Sequence, residues 1–150
     1  MNVMKGILSF LLLSTLLLGT IAGCSRQSAG QEDHAYRMAP LAQMPEAVRE
    51  APATVREAYQ FATYNQDVLS RLPCYCGCGA MGHTSNYSCY VAGSEEEGQL
   101  FYDNHALGCS ICVDITQDAM RMLDEGKSVD EIYEYVDDTY SRFGPPTPLS

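Results

Sequence analysis

The stretch Pro73-Cys74-Tyr75-Cys76-Gly77-Cys78-Gly79 places three thiols within five residues. No apolar core requires that spacing, and a disulfide between alternate residues of the run would close a small, strained ring. Glycine tolerates positive φ and close backbone approach, so the interleaved glycines allow the segment to curl until its sulfur atoms converge. The rest of the chain is therefore predicted to fold around a chemical site built on this run.

Further potential ligands follow the run. Soft thiolates select Cu(I) and Zn(II), and imidazole suits both ions. Structural zinc sites space their ligands as C-x₂₋₄-C, as Cys109 and Cys112 do, whereas the C-x-C-x-C run suits Cu(I) of low coordination number or a polynuclear centre. The sequence predicts a thiophilic metal ion, with copper ahead of zinc. The preferred ligands are Cys74, Cys76, Cys78, Cys109 and Cys112, and the supplementary ones are Cys89, His83 and His105.

Two other uses of the thiols stay open. The six cysteines after Cys24 allow fifteen disulfide pairings. If Cys74, Cys76 and Cys78 each form a disulfide with one of the three later cysteines, the protein is a disulfide-stapled structural or interaction domain. Cys109-Ser110-Ile111-Cys112 begins a predicted helix, whose dipole favours a thiolate and hence thiol–disulfide exchange. No βαβ pattern of the thioredoxin type accompanies it. Metal handling is favoured over both, and catalytic turnover is not expected.

The N-terminus resembles a lipoprotein signal. An apolar run from Ile7 to Leu18 is too short to span a bilayer, which takes about 20 residues, and fits a signal-peptide core. Ile21-Ala22-Gly23-Cys24 follows and resembles a bacterial lipobox. We expect residues 1–23 to be removed and Cys24 to carry lipid, which would anchor the protein outside the cytoplasm on the bacterial cell membrane.

The charge limits the partners. The formal net charge is −10, which argues against nucleic-acid binding through phosphate contacts. The expected partners are the membrane, reached through the lipid, and a protein that donates or accepts the metal. Asp103 and Asp114 are candidates to orient ligand groups.

The remaining pattern predicts a mainly α fold, a small bundle of about three helices with a Cys-rich irregular loop. Thr54-Val55-Arg56-Glu57 matches a capping box that begins a helix over 54–71, which Pro73 would end. Apolar periodicity predicts a second helix over 110–125, stopped by Gly126, and a third from 129 to 143 behind a capping box at Ser128. The predicted segments are a tether (24–50), a Cys-rich metal-binding domain (51–144) and a tail (145–150).

The motif Pro73-Cys74-Tyr75-Cys76-Gly77-Cys78 resembles the family of bacterial lipoproteins that the PCYCGC motif defines. The resemblance extends from about Tyr59 to Tyr140 and includes Gly82-His83, Cys89, His105-Ala106, Cys109-Ser110-Ile111-Cys112 and Gly126-Lys127-Ser128. It implies a secreted lipoprotein with a metal-binding role and assigns no activity.

The stretch from Gly126 to Tyr140, with Phe143 and Pro145-Pro146, also resembles the end of the three-helix thiol reductases of cytochrome c maturation. Their C-x-x-C lies ahead of the first helices of the bundle, unlike that of this chain. This second resemblance keeps the redox hypothesis open.

Overall fold

The computed structural model describes residues 34–95 and 98–149; the predicted signal peptide and Cys24 lie outside them. This part of the chain is mainly helical, as predicted, with one small antiparallel sheet. Its helices and strands are α1 (Glu46–Arg49), α2 (Ala53–Tyr64), α3 (Gln66–Leu69), β1 (Val91–Ser94), β2 (Leu100–Tyr102), α4 (Ser110–Asp124) and α5 (Val129–Tyr140). In these residues, no helix combines the length and the apolar character that a membrane crossing requires.

The first predicted long helix is divided. The helix begins at Ala53 behind Pro52, and no side chain caps it, so the capping box predicted at Thr54 is wrong. Asn65 interrupts the helix at φ −123° and ψ 45°, and α3 restarts at the next residue. The buried Asn65 amide donates to the carbonyl oxygens of Phe61 and Arg37, both at 2.7 Å. These bonds stabilise the break at the single polar residue of an otherwise apolar stripe.

The second and third predicted helices are confirmed. Gly126, with φ +79°, follows the end of α4, and the Lys127 amide donates to the Met122 carbonyl at 2.9 Å. Only a residue that tolerates left-handed backbone fits this stop. Ser128 accepts from the Glu131 amide while the Glu131 carboxylate accepts from the Ser128 amide, which completes the predicted capping box.

The segment predicted to be irregular contains a hairpin. Strand β1 pairs with β2 in the register Val91 to Tyr102, Gly93 to Phe101 and Ser94 to Leu100, with a bulge between Val91 and Gly93. Before the hairpin, the chain forms a 3-10 turn over Tyr87–Cys89. The Asp103 amide donates to the Tyr90 carbonyl at 2.8 Å and extends the hairpin toward the cysteines.

The described part of the predicted tether belongs to the folded domain. Ala39, Met44 and Val48 are buried, and the Ala39 amide donates to the Gln60 carbonyl of α2 at 3.0 Å. His34, within the predicted tether, places Nδ1 2.7 Å from Oδ2 of Asp124 at the end of α4. Residues 34–50 therefore belong with the folded domain that was predicted to begin at residue 51.

The core lies between α2, α4 and α5. Helix α4 packs against both α2 and α5. The largest apolar side chains that are fully buried include Tyr59, Phe61, Leu69, Leu72, Ile115, Ile132 and Val136. Four of the cysteines belong to the same buried cluster: Cys74, Cys78, Cys89 and Cys112. These four thiols are thus part of the interior, and Cys76 and Cys109 are partly buried against it.

Candidate metal centre

Two glycines turn the cysteine run inward. Gly77 has φ +84° and precedes the 3-10 turn Cys78–Met81, which ends at Gly82 with φ +93°. A side chain at either position would be strained whatever the free space around it. The curl that the interleaved glycines predict is therefore present, and it brings Cys78 back toward Cys74.

The C-terminal tail fastens the run in place. Cys74 donates its amide hydrogen to Oγ1 of Thr147 at 3.0 Å, and its carbonyl accepts from the Thr147 amide at 2.9 Å. Thr147 is 3% exposed. A Cβ on Gly144 would lie 3.0 Å from the carbonyl oxygen of Tyr75, so the tail passes close to the motif backbone. No role was predicted for the tail; in the structure, residues 144–148 form a strap across the site.

The sulfur atoms converge. Cys74 Sγ lies 3.4 Å from Cys112 Sγ and 3.5 Å from Cys76 Sγ, and Cys76 Sγ lies 3.6 Å from Cys112 Sγ. On the other side, Cys78 Sγ lies 3.7 Å from Cys89 Sγ. Tetrahedral ligands at about 2.3 Å from a metal are about 3.8 Å apart, whereas a disulfide bond is about 2.05 Å long. All six cysteines of the described residues are free thiols, and five of them lie close to a tetrahedral edge from another thiol. Cys109 lies within 4.8 Å of its neighbouring donors.

Two imidazoles complete the donor set. His105 Nε2 lies 3.3 Å from Cys76 Sγ, and the His83 ring meets the His105 ring edge to face at 5.1 Å. His83 Nε2 lies 3.6 Å from Oδ2 of Asp103. Its other nitrogen, Nδ1, is buried and has no hydrogen-bond partner among the described residues. A buried polar atom without a partner is costly, so this nitrogen is suited to a metal ion.

The donors form four overlapping groups, and within each group the ligand atoms lie within 4.8 Å of one another. Two groups have four donors: Cys76, His105, Cys109 and Cys112, and Cys78, His83, Cys89 and His105. Two have three: Cys74, Cys76 and Cys78, and Cys74, Cys89 and Cys112. The structure thus brings together all eight residues predicted as ligands, although their binding of metal stays a prediction.

Asp103, which was predicted to orient ligand groups, contacts the ring of His83 and the backbone of His105. Besides approaching His83, its carboxylate accepts from the His105 amide at 2.7 Å. Its carbonyl accepts from the hydroxyl of the buried Tyr59 at 2.7 Å. A carboxylate behind a histidine fixes the tautomer and the orientation of a ligating ring.

A buried polar network that the sequence did not reveal holds Cys112. Its carbonyl accepts from the Tyr90 hydroxyl at 2.8 Å and from the Asn86 amide at 3.2 Å. Thr116 Oγ1 donates to Oδ1 of Asn86 at 2.8 Å and lies 2.7 Å from the Tyr90 hydroxyl. Asn86, Tyr90 and Thr116 are fully buried. Nothing in the sequence distinguished these residues from ordinary turn or core positions.

The thiols differ in acidity because of their mutual contacts. Hydrogen bonding from Cys112, with a second bond from Cys89, lowers the pKa of Cys74 to about 2. Donation to Cys74 raises the pKa of Cys112, and burial raises that of Cys76. These contacts favour ionisation of Cys74 and disfavour ionisation of the thiols beside it. A cation would replace the protons of those thiols, because only a positive charge lets several adjacent thiols ionise together.

These observations define a class: a small, mainly helical domain with a largely buried cluster of thiols and imidazoles that could hold a metal ion. The chain belongs to the family described as "Protein of unknown function with PCYCGC motif", whose model matches residues 12–150. The resemblance seen in the motif is thereby confirmed. No curated protein and no solved structure matches the chain.

Proposed function

We propose that this protein is anchored by lipid outside the cytoplasm and binds a thiophilic metal ion, which it captures, stores or delivers without catalytic turnover. One observation carries the metal-binding part: six thiols and two imidazoles converge at separations of a coordination polyhedron. The orphaned Nδ1 of His83 supports it, because a buried donor atom gains a partner when a cation binds.

Copper is the first choice of ion and zinc the second. The three-thiol groups around Cys74 suit Cu(I), which soft thiolates select. The four-donor groups, with three cysteines and one histidine or two of each, are sets that also suit structural zinc. The carboxylates nearby serve as orienting groups, so hard ions such as Mg²⁺ and Ca²⁺ do not fit this donor set.

Metal content and thiol count, measured together on protein purified without oxygen, test the proposal. We expect stoichiometric copper or zinc by mass spectrometry, with the thiols reduced. Cys74→Ser removes the sulfur that two of the donor groups share, so bound metal should fall well below the wild-type content. Ser110→Ala is the matched control, because Ser110 lies exposed between Cys109 and Cys112 and offers no thiol. Wild-type metal content in Cys74→Ser would exclude the two donor groups that contain Cys74 and leave only the four-donor groups. Three disulfides and no metal in the wild type would refute the proposal.

The anchor is proposed from Ile21-Ala22-Gly23-Cys24. Cell fractionation with metabolic labelling by a fatty acid tests it: wild-type protein should carry label and sediment with membranes. Cys24→Ser should lose the label and leave the membrane fraction, whereas Ser28→Ala should behave as wild type. Labelled Cys24→Ser protein, or wild type free of label in the soluble fraction, would contradict lipidation at Cys24. A protein that donates or accepts the metal at the cell surface is the proposed partner.

Thiol–disulfide exchange is the second candidate function. Cys109 is half-buried at the position that precedes the first turn of α4, where free amides favour a thiolate. A single pair, Cys109 and Cys112, that exchanges with a substrate disulfide in metal-free protein would favour it. Stoichiometric metal in the purified protein, with no such exchange once the metal is removed, would favour the metal site.

A further inference from the structure

The cluster offers more donors than one ion can use. Copper and zinc take at most about four ligands in such sites, whereas eight donor atoms converge here. A single ion at Cys76, Cys109 and Cys112 would leave Cys78, Cys89 and His83 buried without a role. It would also leave His83 Nδ1 without a partner.

Cys74 stands between two sets of donors. Its sulfur lies within 4.8 Å of the sulfurs of Cys76 and Cys112, and also within 4.8 Å of those of Cys78 and Cys89. A thiolate has several lone pairs and can bridge two soft ions. The other sulfurs pair outward: Cys76 with Cys112 at 3.6 Å, and Cys78 with Cys89 at 3.7 Å.

We propose that the centre holds two thiophilic ions: an outer ion on Cys76, Cys109 and Cys112, and an inner ion on Cys78, Cys89 and His83. The thiolate of Cys74 bridges them. His105 Nε2 adds a donor to the outer ion, since it lies 3.3 Å from Cys76 Sγ. The His83 ring ligates through Nδ1, because its Nε2 faces the Asp103 carboxylate. This assignment rests on the proposed metal-binding function and deepens it.

The two ions differ in access. Cys78, His83 and Cys89 are all buried, whereas Cys76, His105 and Cys109 are each half-buried. A ligand from solvent or from a partner protein therefore reaches the outer ion first. The outer ion is the exchangeable cargo, and the inner ion is retained and stabilises the fold around Cys74.

Stoichiometry and release kinetics test the assignment. Protein reduced and loaded anaerobically with Cu(I), and separately with Zn²⁺, is weighed intact by native mass spectrometry. The wild type should bind two ions of at least one of these metals, and His83→Ala and Cys109→Ser one each. His34→Ala is the matched control: its partner Asp124 lies twelve residues beyond Cys112 on α4, about 18 Å away, so two ions should remain. Circular dichroism of each variant verifies that it folds.

A chelator challenge separates the two ions. The wild type should release its ions in two phases, and Cys109→Ser should retain only the slow one. Asp103→Asn keeps every ligand and should lower the affinity of the inner ion by about 10- to 100-fold, because the carboxylate no longer orients His83. Unchanged affinity in Asp103→Asn would overturn that role, as a single release phase would overturn the difference in access.

The outcomes separate this inference from the proposed function. If the wild type binds one ion per chain and His83→Ala binds the same amount, the two-ion centre is refuted and the proposed metal-binding function is not. More than two ions also overturns it, in favour of a larger cluster. No bound copper or zinc overturns both.

Discussion

Replacement of Thr147 by valine tests whether the C-terminal strap stabilises the cysteine run. The substitution keeps the shape of the side chain and removes only Oγ1, which accepts the Cys74 amide hydrogen at 3.0 Å. The bond from the Thr147 amide to the Cys74 carbonyl involves backbone atoms and should persist. Cys74 and Thr147 are 0% and 3% exposed, so water cannot replace the lost acceptor without opening the site.

The expected cost follows from that burial. A buried amide left without its acceptor costs about 1–3 kcal/mol, a factor of roughly 5 to 150 in the unfolding equilibrium. Since a domain of this size loses roughly 4 °C per kcal/mol, Tm should fall by about 4–12 °C. Thr54→Val, at an exposed threonine on α2, should change stability by no more than about 0.5 kcal/mol.

Urea denaturation of the reduced, metal-free protein is the assay, because bound metal would add its own contribution to stability. A free energy of unfolding equal to that of the wild type would show that the strap does not hold Cys74. An equal loss in Thr54→Val would show that the effect is not specific to the site.

Three further predictions concern a helix cap, the buried network and pH. Ser128→Ala should lower the free energy of unfolding by about 1 kcal/mol, because the capping box is lost, and leave metal content unchanged; an unaltered urea midpoint would contradict this. Thr116→Val should lower the free energy of unfolding by about 1–3 kcal/mol, because it removes a hydrogen bond from the network around Cys112. A free energy of unfolding equal to that of the wild type would show that Tyr90 and Asn86 are enough to hold Cys112. Metal loading near pH 7 should release protons, because the raised pKa values of Cys76 and Cys112 keep those thiols protonated without metal. A pH indicator dye measures this release, and the affinity for metal should rise with pH. An affinity that does not change between pH 6 and 8 would refute this prediction.

Much of the fold could be predicted from local signals. Helices α4 and α5 follow from apolar periodicity, Gly126 and the Ser128 cap, since each of these acts within a few residues. The prediction of one helix over 54–71 was only partly right, because the Asn65 side chain donates to two carbonyl oxygens at the break, one of them in the distant residue Arg37. Periodicity carries no information about such a partner.

The candidate site, like the fold, could be predicted only in part from the sequence. The glycines of the motif and its thiol spacing predicted a convergent cluster, and the structure brings all eight candidate ligands together. The strap at Thr147 and the network of Asn86, Tyr90 and Thr116 could not be predicted, because their roles come from contacts 22 or more residues apart in sequence. The packing of residues 34–50 was missed because Pro40 and Pro45 resemble linker residues in sequence, although here they precede short helical turns.

X-ray absorption spectroscopy of the anaerobically purified protein tests the central claim most directly. If the thiols and imidazoles share a thiophilic ion, the copper or zinc spectrum should show a nearest shell dominated by sulfur at about 2.3 Å. A nearest shell made only of oxygen and nitrogen, or a sulfur shell that is unchanged in Cys74→Ser, would contradict the account.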